Sequence, residues 1–194
     1  MPDLRQRLTA ALARRGDVSS DFDLNPDISA PQRKLTAAGV LIGISETTGQ
    51  VLLTKRSPRL KHHPGQIALP GGRQDPTDAT PVAAALREAH EEIGLPSSIV
   101  DVIGTLPPHQ TVTNYHVTPV VALVRDRFDH VAEAGEVSEI FEVPLDHLLD
   151  LRNYRVEGRH WQGRKRLYYT VPFGPYYIWG ATGRILRGLA ERMA

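Results

Sequence analysis

The stretch between Thr80 and Gly94 carries a start signal, a stop signal and a helical repeat of apolar side chains. Thr80 precedes Pro81, a pair that is typical of the first turn of a helix, and Gly94 is typical of the residue that follows the last turn. Apolar side chains recur between these ends at helical spacing. They are Val82, Leu86, Ala89 and Ile93. The sequence therefore predicts a helix with one face against a core.

Three glutamates, Glu88, Glu91 and Glu92, fall on roughly the opposite face of this helix. Carboxylates three and four residues apart repel one another, and the negative end of the helix dipole disfavours them further. One interpretation is an ordinary solvated face. The other is a site for a hard divalent cation, which would remove the repulsion because such ions take carboxylate oxygens as ligands. The surrounding sequence, described below, favours the cation site.

Composition restricts the kind of protein. A chain of 194 residues with 41% hydrophobic content supports one well-buried core, so we expect one domain with terminal additions. The net charge of +1 provides no overall field to attract nucleic acid or an anionic membrane. The lack of cysteine excludes disulfides, thiolate metal sites and a cysteine nucleophile. We expect a cytoplasmic monomer or homodimer whose partner is a small molecule, with no nucleic acid and no membrane.

The two ends of the chain have patterns of their own. Residues 3–15 place Leu4, Leu8 and Leu12 four apart among arginines, which predicts a short amphipathic docking helix. Residues 17–34 are polar and interrupted by proline, which predicts an arm or linker. We therefore divide the chain into an N-terminal helix and arm (1–34) and one domain (35–194), which ends in a helix from about 178 to 192 with an apolar stripe.

Several runs between these ends have strand character. Thr36–Ile44 is continuously apolar and predicts a strand buried on both faces, with Val51–Thr54 as its hairpin partner. Ile99–Leu106 and Val117–Val124 are strand-like, and Pro119 predicts an edge or a bulge in the second. The run from Glu136 to Leu145 alternates polar and apolar residues, as a half-exposed strand does.

Two further segments allow more than one interpretation. Pro107–Tyr115 is a polar loop in which His109 or Tyr115 could contact a substrate, or could simply lie on the surface. Residues 152–169 interleave basic and aromatic side chains, and predict a hairpin that turns near Gly158 or Gly163. Such a hairpin could bind a nucleic acid, the adenine nucleotide half of a substrate or a second copy of the chain, or could be an ordinary exposed hairpin.

The run that begins at Gly72 and ends at Leu95 resembles the signature of the Nudix hydrolases. That signature is a glycine, a loop carboxylate, and then Arg-Glu-x-x-Glu-Glu-x-Gly on a helix, and this chain has Arg87-Glu-Ala-His-Glu-Glu-Ile-Gly94. The loop acid is Asp78 instead of glutamate, and one extra residue separates it from Arg87. The resemblance turns the three glutamates from a solvated face into candidate metal ligands.

Two longer segments resemble one branch of that family, the coenzyme A diphosphatases. They are the run from Leu52 through Gly72, which continues without a gap into the helix motif, and Ile178–Leu186. Together the similarities cover most of residues 36–190.

The resemblance implies an α+β fold, an α/β/α sandwich with a mixed β-sheet between helices, to which N- and C-terminal helices are added. It implies metal-dependent hydrolysis of the diphosphate linkage of coenzyme A and its acyl derivatives, giving 3′,5′-ADP and (acyl)phosphopantetheine. The alternatives are another Nudix substrate, such as ADP-ribose, a dinucleotide or a nucleoside triphosphate, and a module that senses nucleotide without catalysis.

The same resemblance implies the catalytic and metal-binding residues. Glu88, Glu91 and Glu92 would bind Mg²⁺ or Mn²⁺ with a backbone carbonyl of Gly72 or Gly71, and any of the three, Glu88 first, would take a proton from water. Arg87 lies four residues before Glu91 and can hold its carboxylate in position. An additional carboxylate is expected from the 136–145 run, with Glu136 as the first choice and Glu139 as the reserve.

A basic segment directly precedes the glycine turn. By itself it would be a solvated loop, but beside a diphosphate site its cations would bind phosphate oxygens. Arg56 and Arg59 are expected to bind the diphosphate, while Lys61 or a later arginine would bind a 3′-phosphate. The candidate substrate-binding residues are Lys55, Arg56, Arg59, Lys61, Gly71 and Gly72.

Overall fold

The computed structural model describes residues 3–28, 34–161 and 163–194. The α-helices in these ranges are α1 (Leu4–Ala13), α2 (Pro81–Ile93), α3 (Leu145–Leu149) and α4 (Gly180–Met193). The strands are β1 (Ser19–Ser20), β2 (Thr36–Ser45), β3 (Gln50–Arg56), β4 (Ile67–Ala68), β5 (Gly71–Arg73), β6 (Val100–Thr105), β7 (His109–Gln110), β8 (Tyr115–Val124), β9 (Val137–Pro144), β10 (Arg155–Trp161) and β11 (Arg164–Thr170).

The longer elements follow the hydrophobic patterns, with small shifts at their ends. The predicted hairpin of β2 and β3 is confirmed, with Ile44 opposite Val51. The short elements β1, β4, β5, β7 and α3 were not predicted from the sequence. Strands of two or three residues are too short to show a period, so only their pairing partners define them.

A mixed sheet forms the centre of the molecule. Its strand order is β1-β7-β8-β2-β3-β4, and β5, β6 and β9 pair with β2, β8 and β3, respectively. β2 and β8 are parallel along their whole length, whereas β3 runs antiparallel to β2 and to β9. β10 and β11 form a separate antiparallel hairpin.

Alternate residues of the central strands belong to two different hydrophobic cores. Leu41 of β2 and Val120 of β8 lie in the core that α2 covers, whereas Ile42 and Val121 lie in the core that α1 and α4 cover. Because successive side chains on a strand point to opposite faces, a strand between two helical layers is apolar throughout. The α/β/α sandwich is confirmed, as is the burial of β2 on both faces.

Local signals fix the ends of α2 as predicted. The Thr80 hydroxyl accepts a hydrogen bond from the Ala83 amide at 3.2 Å. Gly94 closes the helix in the left-handed conformation, with φ of 72°. Helix and sheet approach closely at Gly39, where a Cβ atom would lie 1.9 Å from the Pro81 carbonyl oxygen. The predicted stripe packs on the core of this face, with Ala89 and Ile93 buried and Val82 and Leu86 partly buried.

The terminal helices cover the opposite face of the sheet. Leu8 of α1 is buried there, and Leu4 and Leu12 pack against the same core, so the predicted docking helix is confirmed. On α4 the predicted stripe is buried except for Met193, which is partly buried. No helix within residues 3–28, 34–161 and 163–194 has the length and apolar character needed to cross a membrane.

The N-terminal arm contributes a strand to the sheet. β1 pairs in parallel with β7, and the Asn25 side chain donates to the Leu167 carbonyl at 2.9 Å while accepting from the Leu167 amide at 2.8 Å. Part of the predicted arm, residues 29–33, lies outside the described residues, as do residues 1 and 2. The division of the chain at residue 34 stays a prediction.

His109 overturns both sequence interpretations of its loop. Its side chain is fully buried, so it is neither a surface residue nor a substrate contact. One ring nitrogen lies 2.9 Å from the Ser19 hydroxyl, and the other lies 3.1 Å from a carboxylate oxygen of Asp21. The histidine therefore joins the arm to the sheet. Tyr115 begins β8 and is half-buried, and its role towards a substrate stays a prediction.

Pro119 does not mark an edge, because β8 lies inside the sheet. It pairs with Val40 on β2. On its other side, the partner of β8 changes from β6, which ends at Thr105, to β7, which starts at His109. Pro119 lies between these two ladders, where its carbonyl accepts from the Leu106 amide at 2.9 Å and its missing N–H removes no ladder bond. The predicted bulge occurs instead in β6, between Val102 and Gly104.

The predicted hairpin of residues 152–169 is confirmed as β10 and β11. Its turn contains Gly163, whose φ of 75° is in the left-handed region. Gly158, the alternative turn position, lies inside β10 opposite Leu167. Gly163 directly precedes Arg164, which pairs with Trp161 at the end of the hairpin.

Candidate active site

The glycine turn before α2 is held against the central strand. Gly71 and Gly72 belong to β5 and pair with Val40 and Gly39 of β2. Gly71 has φ of 148°, a conformation that favours glycine, and a Cβ atom there would lie 2.3 Å from the Gly39 carbonyl oxygen. Only glycine allows the backbone to approach β2 this closely while its amide faces α2.

Glu92 lies inside the protein, which corrects the prediction that all three glutamates share the face opposite the core. Its relative exposure is 6%, and its carboxylate accepts from the Gly71 amide at 3.0 Å. Burial raises the pKa of Glu92 from 4.5 to about 7, against the lowering effect of the Gly71 hydrogen bond. The helical wheel missed this because it ignores the β5 turn, which covers that side of α2.

Glu88 lies at the border between the interior and solvent, with its side chain 19% exposed. Its carboxylate fills the space that glycine leaves open, since a Cβ atom on Gly72 would lie 2.5 Å from it. Burial raises the pKa of Glu88, and the adjacent Arg87 charge opposes this rise. Glu88 and Glu92 therefore flank the glycine turn, one on each of its two residues.

Arg87 binds four groups, two of them on its own helix, one at the end of β5 and one in the loop between β5 and the helix. Its guanidinium donates to Glu91 at 2.8 Å, to Glu88 at 3.1 Å and to the Arg73 carbonyl at 3.2 Å. It also binds Asp78 through two nitrogens, Nε at 3.1 Å and Nη2 at 2.9 Å. The predicted contact with Glu91 is confirmed. The Asp78 carboxylate is 6% exposed, and its bond to Arg87 lowers its pKa.

Asp78 is the residue whose role the sequence did not assign. The extra residue between it and Arg87 does not prevent contact, because the Asp75 amide donates to the Asp78 carboxylate at 2.9 Å and folds the loop back. The signal in the sequence was an acid in the loop before a helical arginine. Asp78 lies in the loop and Arg87 lies on α2, so the sequence alone could not predict that the two side chains form an ion pair.

Glu136 reaches the same cluster from another element. It directly precedes β9, and its carbonyl accepts from the Ser57 amide at 2.7 Å, next to the end of β3. Its charge raises the pKa values of both Glu88 and Glu92, because like charges nearby disfavour ionisation. Glu139, the reserve candidate, is instead hydrogen-bonded to the Tyr176 hydroxyl at 2.5 Å.

The basic segment divides between the two faces of the sheet. Arg56 is on the side of the acidic cluster, where its positive charge lowers the pKa of Glu92. Its Nε atom is buried and makes no hydrogen bond within the described part of the chain. Lys55 pairs with Glu139 on β9 and with Ile67 on β4, and its side chain points to the opposite face. Arg59 and Lys61 are exposed on the loop that follows.

The donor set suits a hard divalent cation. Glu88 and Glu92 place carboxylates at the glycine turn, and Glu136 adds a negative charge that raises the pKa of both. Carboxylate and carbonyl oxygens are the ligands that Mg²⁺ and Mn²⁺ prefer. Glu91 is 54% exposed and is paired with Arg87. Within residues 3–28, 34–161 and 163–194, no three acidic or imidazole side chains are already grouped as a metal would hold them. The acids therefore fit a cation by chemistry, and binding requires their side chains to reorient.

A mixed sheet between helices and an acidic helix behind a glycine turn are features of one protein family. The family description "NUDIX domain" matches residues 34–168, and the chain belongs to this family. It is 41% identical over 177 residues to NudL of Enterobacter sp. (strain 638), a Nudix hydrolase, covering 90% of this chain and 92% of that protein. It is 46% identical over 140 residues to NudL of Klebsiella pneumoniae (strain 342), covering 72% and 73%.

Solved structures have the same fold. The MutT protein of Methanosarcina mazei Go1 aligns with a TM-score of 0.54 and 21% identity, covering 84% of this chain and 95% of that one. The NUDIX domain of Shewanella oneidensis NrtR, solved with ADP ribose, aligns with a TM-score of 0.51 and 16% identity, covering 90% and 97%. At these identities the likeness shows the fold alone. Family membership and the acidic helix together support hydrolase activity on a nucleoside diphosphate derivative.

Proposed function

We propose that this protein hydrolyses the diphosphate linkage of coenzyme A and its acyl derivatives, giving 3′,5′-ADP and (acyl)phosphopantetheine. The observation that carries the hydrolytic part is the position of Glu88 and Glu92 on the two residues of the glycine turn, with the charges of Glu136 and Arg56 near enough to affect the pKa of Glu92. Carboxylates that repel one another lower the stability of the folded chain, so folding alone does not explain why they lie together. They are useful where metal ions and phosphates bind.

In this proposal Glu88, Glu91 and Glu92 hold Mg²⁺ or Mn²⁺, together with a carbonyl of Gly71 or Gly72, and Glu136 adds a further carboxylate. When bound, the metal supplies charge stabilisation to the phosphoryl oxygens and lowers the pKa of water. Glu88 is the first candidate to accept the proton of the attacking water. Its half-buried position and its raised pKa make it a stronger base than a fully solvated glutamate.

The basic side chains have separate tasks in the proposal. Arg56 binds the scissile diphosphate, since its buried Nε is a donor without a partner in the described residues and it lies beside Glu92. Arg59 and Lys61 lie on the exposed loop, where their positive charges attract the phosphates of the substrate. Lys55 lies on the opposite face of the sheet from Arg56. Arg87 does not touch the substrate. It holds Glu88 and Glu91 in position through the bonds described above.

The choice of coenzyme A rests on the resemblance of residues 52–72 and 178–186 to the coenzyme A diphosphatases. The structure brings these segments together, since the Thr182 hydroxyl donates to the Ile67 carbonyl at 3.1 Å. This contact supports treating the two segments as parts of one unit.

The test is hydrolysis of coenzyme A by the full chain with Mg²⁺ or Mn²⁺, with products identified by mass spectrometry. A panel of acetyl-coenzyme A, ADP-ribose, a dinucleotide and a nucleoside triphosphate sets the preference. Coenzyme A should have the highest kcat/KM, and Glu92→Gln should lower kcat about a hundredfold while leaving the protein folded. If kcat/KM is higher for ADP-ribose than for coenzyme A, the proposed substrate is ADP-ribose. If the protein binds these compounds and hydrolyses none of them, it is a sensing module.

A further inference from the structure

Aromatic and cationic side chains form a surface on one face of the β10–β11 hairpin. The strand register places Arg159 and Tyr168 on the same face, because Tyr168 is opposite Glu157 and Arg159 is two residues further along β10. The segment that leads into α4 adds Tyr177 and Trp179 to this face. We call Arg159, Tyr168, Tyr177 and Trp179 the aromatic shelf.

The members of the aromatic shelf contact one another. The Trp179 ring centre lies 4.9 Å from that of Tyr168 and 6.4 Å from that of Tyr177. The Arg159 guanidinium lies 5.7 Å from the centre of the Trp179 ring, within the range of a cation–π contact. Tyr177 donates to Glu157 at 2.6 Å, and its hydroxyl lies 3.3 Å from that of Tyr168. These bonds fix the orientation of the tyrosines.

The aromatic shelf remains open to solvent. Tyr177 is 40% exposed, and Arg159 is exposed on its strand. A cation stacked at an exposed aromatic surface is the chemistry that recognises a phosphorylated nucleoside, since the base stacks on rings and the phosphate pairs with the guanidinium.

Two bonds tie this segment to β9 and β4, the strands on either side of the basic end of β3. Tyr176, directly before Tyr177, donates to Glu139, and Thr182, three residues after Trp179, donates to the Ile67 carbonyl at 3.1 Å. Glu139 and Ile67 are the strand neighbours of Lys55 on its two sides. Lys55 in turn precedes Arg56, which lies by Glu92. The aromatic shelf is thus fastened to the strand end that carries the candidate diphosphate site.

The other candidate cations for a 3′-phosphate are less suited to the task. Arg152 is already bound to its near neighbour Asp150, with Nη2 at 2.8 Å and Nε at 2.9 Å. Lys61 lies on an exposed loop outside the hairpin. Lys165 is exposed on the opposite face of the hairpin, opposite His160. Arg159 combines exposure with a ring to stack on.

We propose that the aromatic shelf binds the adenosine 3′-phosphate end of coenzyme A, with Arg159 as the partner of the 3′-phosphate and Tyr177 and Trp179 as the surface for adenine. This inference rests on the proposed function. It assigns the part of the substrate that distinguishes coenzyme A from dephospho-coenzyme A.

The experiment measures kcat/KM for coenzyme A and for dephospho-coenzyme A in the full chain and its variants. Arg159→Ala should lower the value for coenzyme A about ten- to a hundredfold and leave dephospho-coenzyme A unchanged, so that their ratio falls towards one. Tyr177→Leu should lower both values together, since both substrates carry adenine. Inhibition by 3′,5′-ADP should weaken about tenfold in Arg159→Ala, while inhibition by 5′-AMP should not change.

Lys165→Ala is the matched control, because it removes an exposed cation from the other face of the same hairpin and should leave the ratio unchanged. An unchanged ratio in Arg159→Ala would overturn the inference while coenzyme A hydrolysis continued to support the proposed function. A wild-type enzyme that cleaves both compounds equally would have the same consequence. Failure to cleave coenzyme A at all would remove the proposed function, and the inference with it. Inhibition by RNA oligonucleotides that is lost in Arg159→Ala, with the ratio unchanged, would assign the surface to nucleic acid instead.

Discussion

The environments of Glu88 and Glu92 in the candidate site disfavour the charged form of a glutamate. Glu92 is an acid in the interior, held by one backbone amide at 3.0 Å and close to the charges of Glu88 and Glu136. Burial raises the free-energy cost of ionising Glu92, and the negative charges of Glu88 and Glu136 raise it further. The metal-free protein is therefore expected to lose stability as this carboxyl ionises.

The first prediction compares Glu92→Gln with the wild type in EDTA. The pKa of Glu92 is about 7 in the folded protein and about 4.5 when unfolded. Because the folded pKa is raised, this group favours folding fully below pH 4.5 and loses that contribution as the pH rises through about 7. Glutamine keeps the acceptor for the Gly71 amide without the charge. The variant should therefore gain stability over the wild type as the pH rises from 5 to 8, on the order of 3 kcal/mol at pH 8.

Urea unfolding at several pH values measures this difference. The control is the same change at Glu91, whose side chain is 54% exposed and should leave the pH dependence of stability as it is in the wild type. A difference between wild type and Glu92→Gln that stays constant from pH 5 to 8 would contradict the buried, raised pKa.

Helix α2 is the element that combines local signals with the chemistry. Its ends are fixed by Thr80 and Gly94, and its position on the sheet is fixed by the close contact at Gly39. Arg87 then binds the preceding loop through Asp78. The acids reach the glycine turn only if the helix starts at the correct residue, so the cap contributes to the geometry of the site as well as to stability.

The second prediction tests the helix start. Thr80→Ala removes the acceptor of the Ala83 amide and should lower the free energy of unfolding by about 1 kcal/mol. Thr80→Ser keeps the hydroxyl and should restore most of it. Thr77→Ala, in the exposed loop before the helix, is the control and should have little effect. Equal losses for the alanine and serine variants would show that the hydroxyl does not cap the helix.

The N-terminal arm binds both the sheet and the last helix, α4. Asp21 accepts from the Val112 amide at 2.9 Å and lies 3.1 Å from the ring of His109, which is fully buried. Arg184 of α4 binds Asp23 at 2.8 Å, so the arm also joins the last helix to the sheet. Residues far apart in the chain are joined through this short segment.

The third prediction removes one of these anchors. Asp21→Ala leaves a buried ring nitrogen of His109 and the Val112 amide without their acceptor, and should cost about 2–4 kcal/mol of stability, since each unsatisfied buried group costs about 1–3 kcal/mol. The loss should appear in thermal unfolding of the full chain. Asp27→Ala, on the exposed part of the same arm, should change stability little. Similar melting temperatures for Asp21→Ala and wild type would exclude a structural role of the arm.

The sequence by itself determined the elements whose signals are local. The cap, the proline, the glycine stop and the apolar repeat defined α2, and the resemblance to the Nudix hydrolases implied the layered fold. The same resemblance proposed Arg87 and the three glutamates as site residues, and these residues are close in sequence and share one helix. The predicted contact of Arg87 with Glu91 was confirmed for that reason: side chains four residues apart on a helix are neighbours whatever surrounds them.

Tertiary structure decided everything that depends on a partner distant in sequence. Glu92 is buried because β5 covers it, which no helical period can indicate. His109 is interior because an arm from the other end of the chain binds both of its ring nitrogens. Glu136 was preferred to Glu139 from spacing alone, but only the fold brings the charge of Glu136 near enough to raise the pKa of Glu88 and Glu92 and gives Glu139 the Tyr176 hydroxyl as its partner. Local propensity acts over a few residues, whereas burial and charge depend on whatever the folded chain brings into contact.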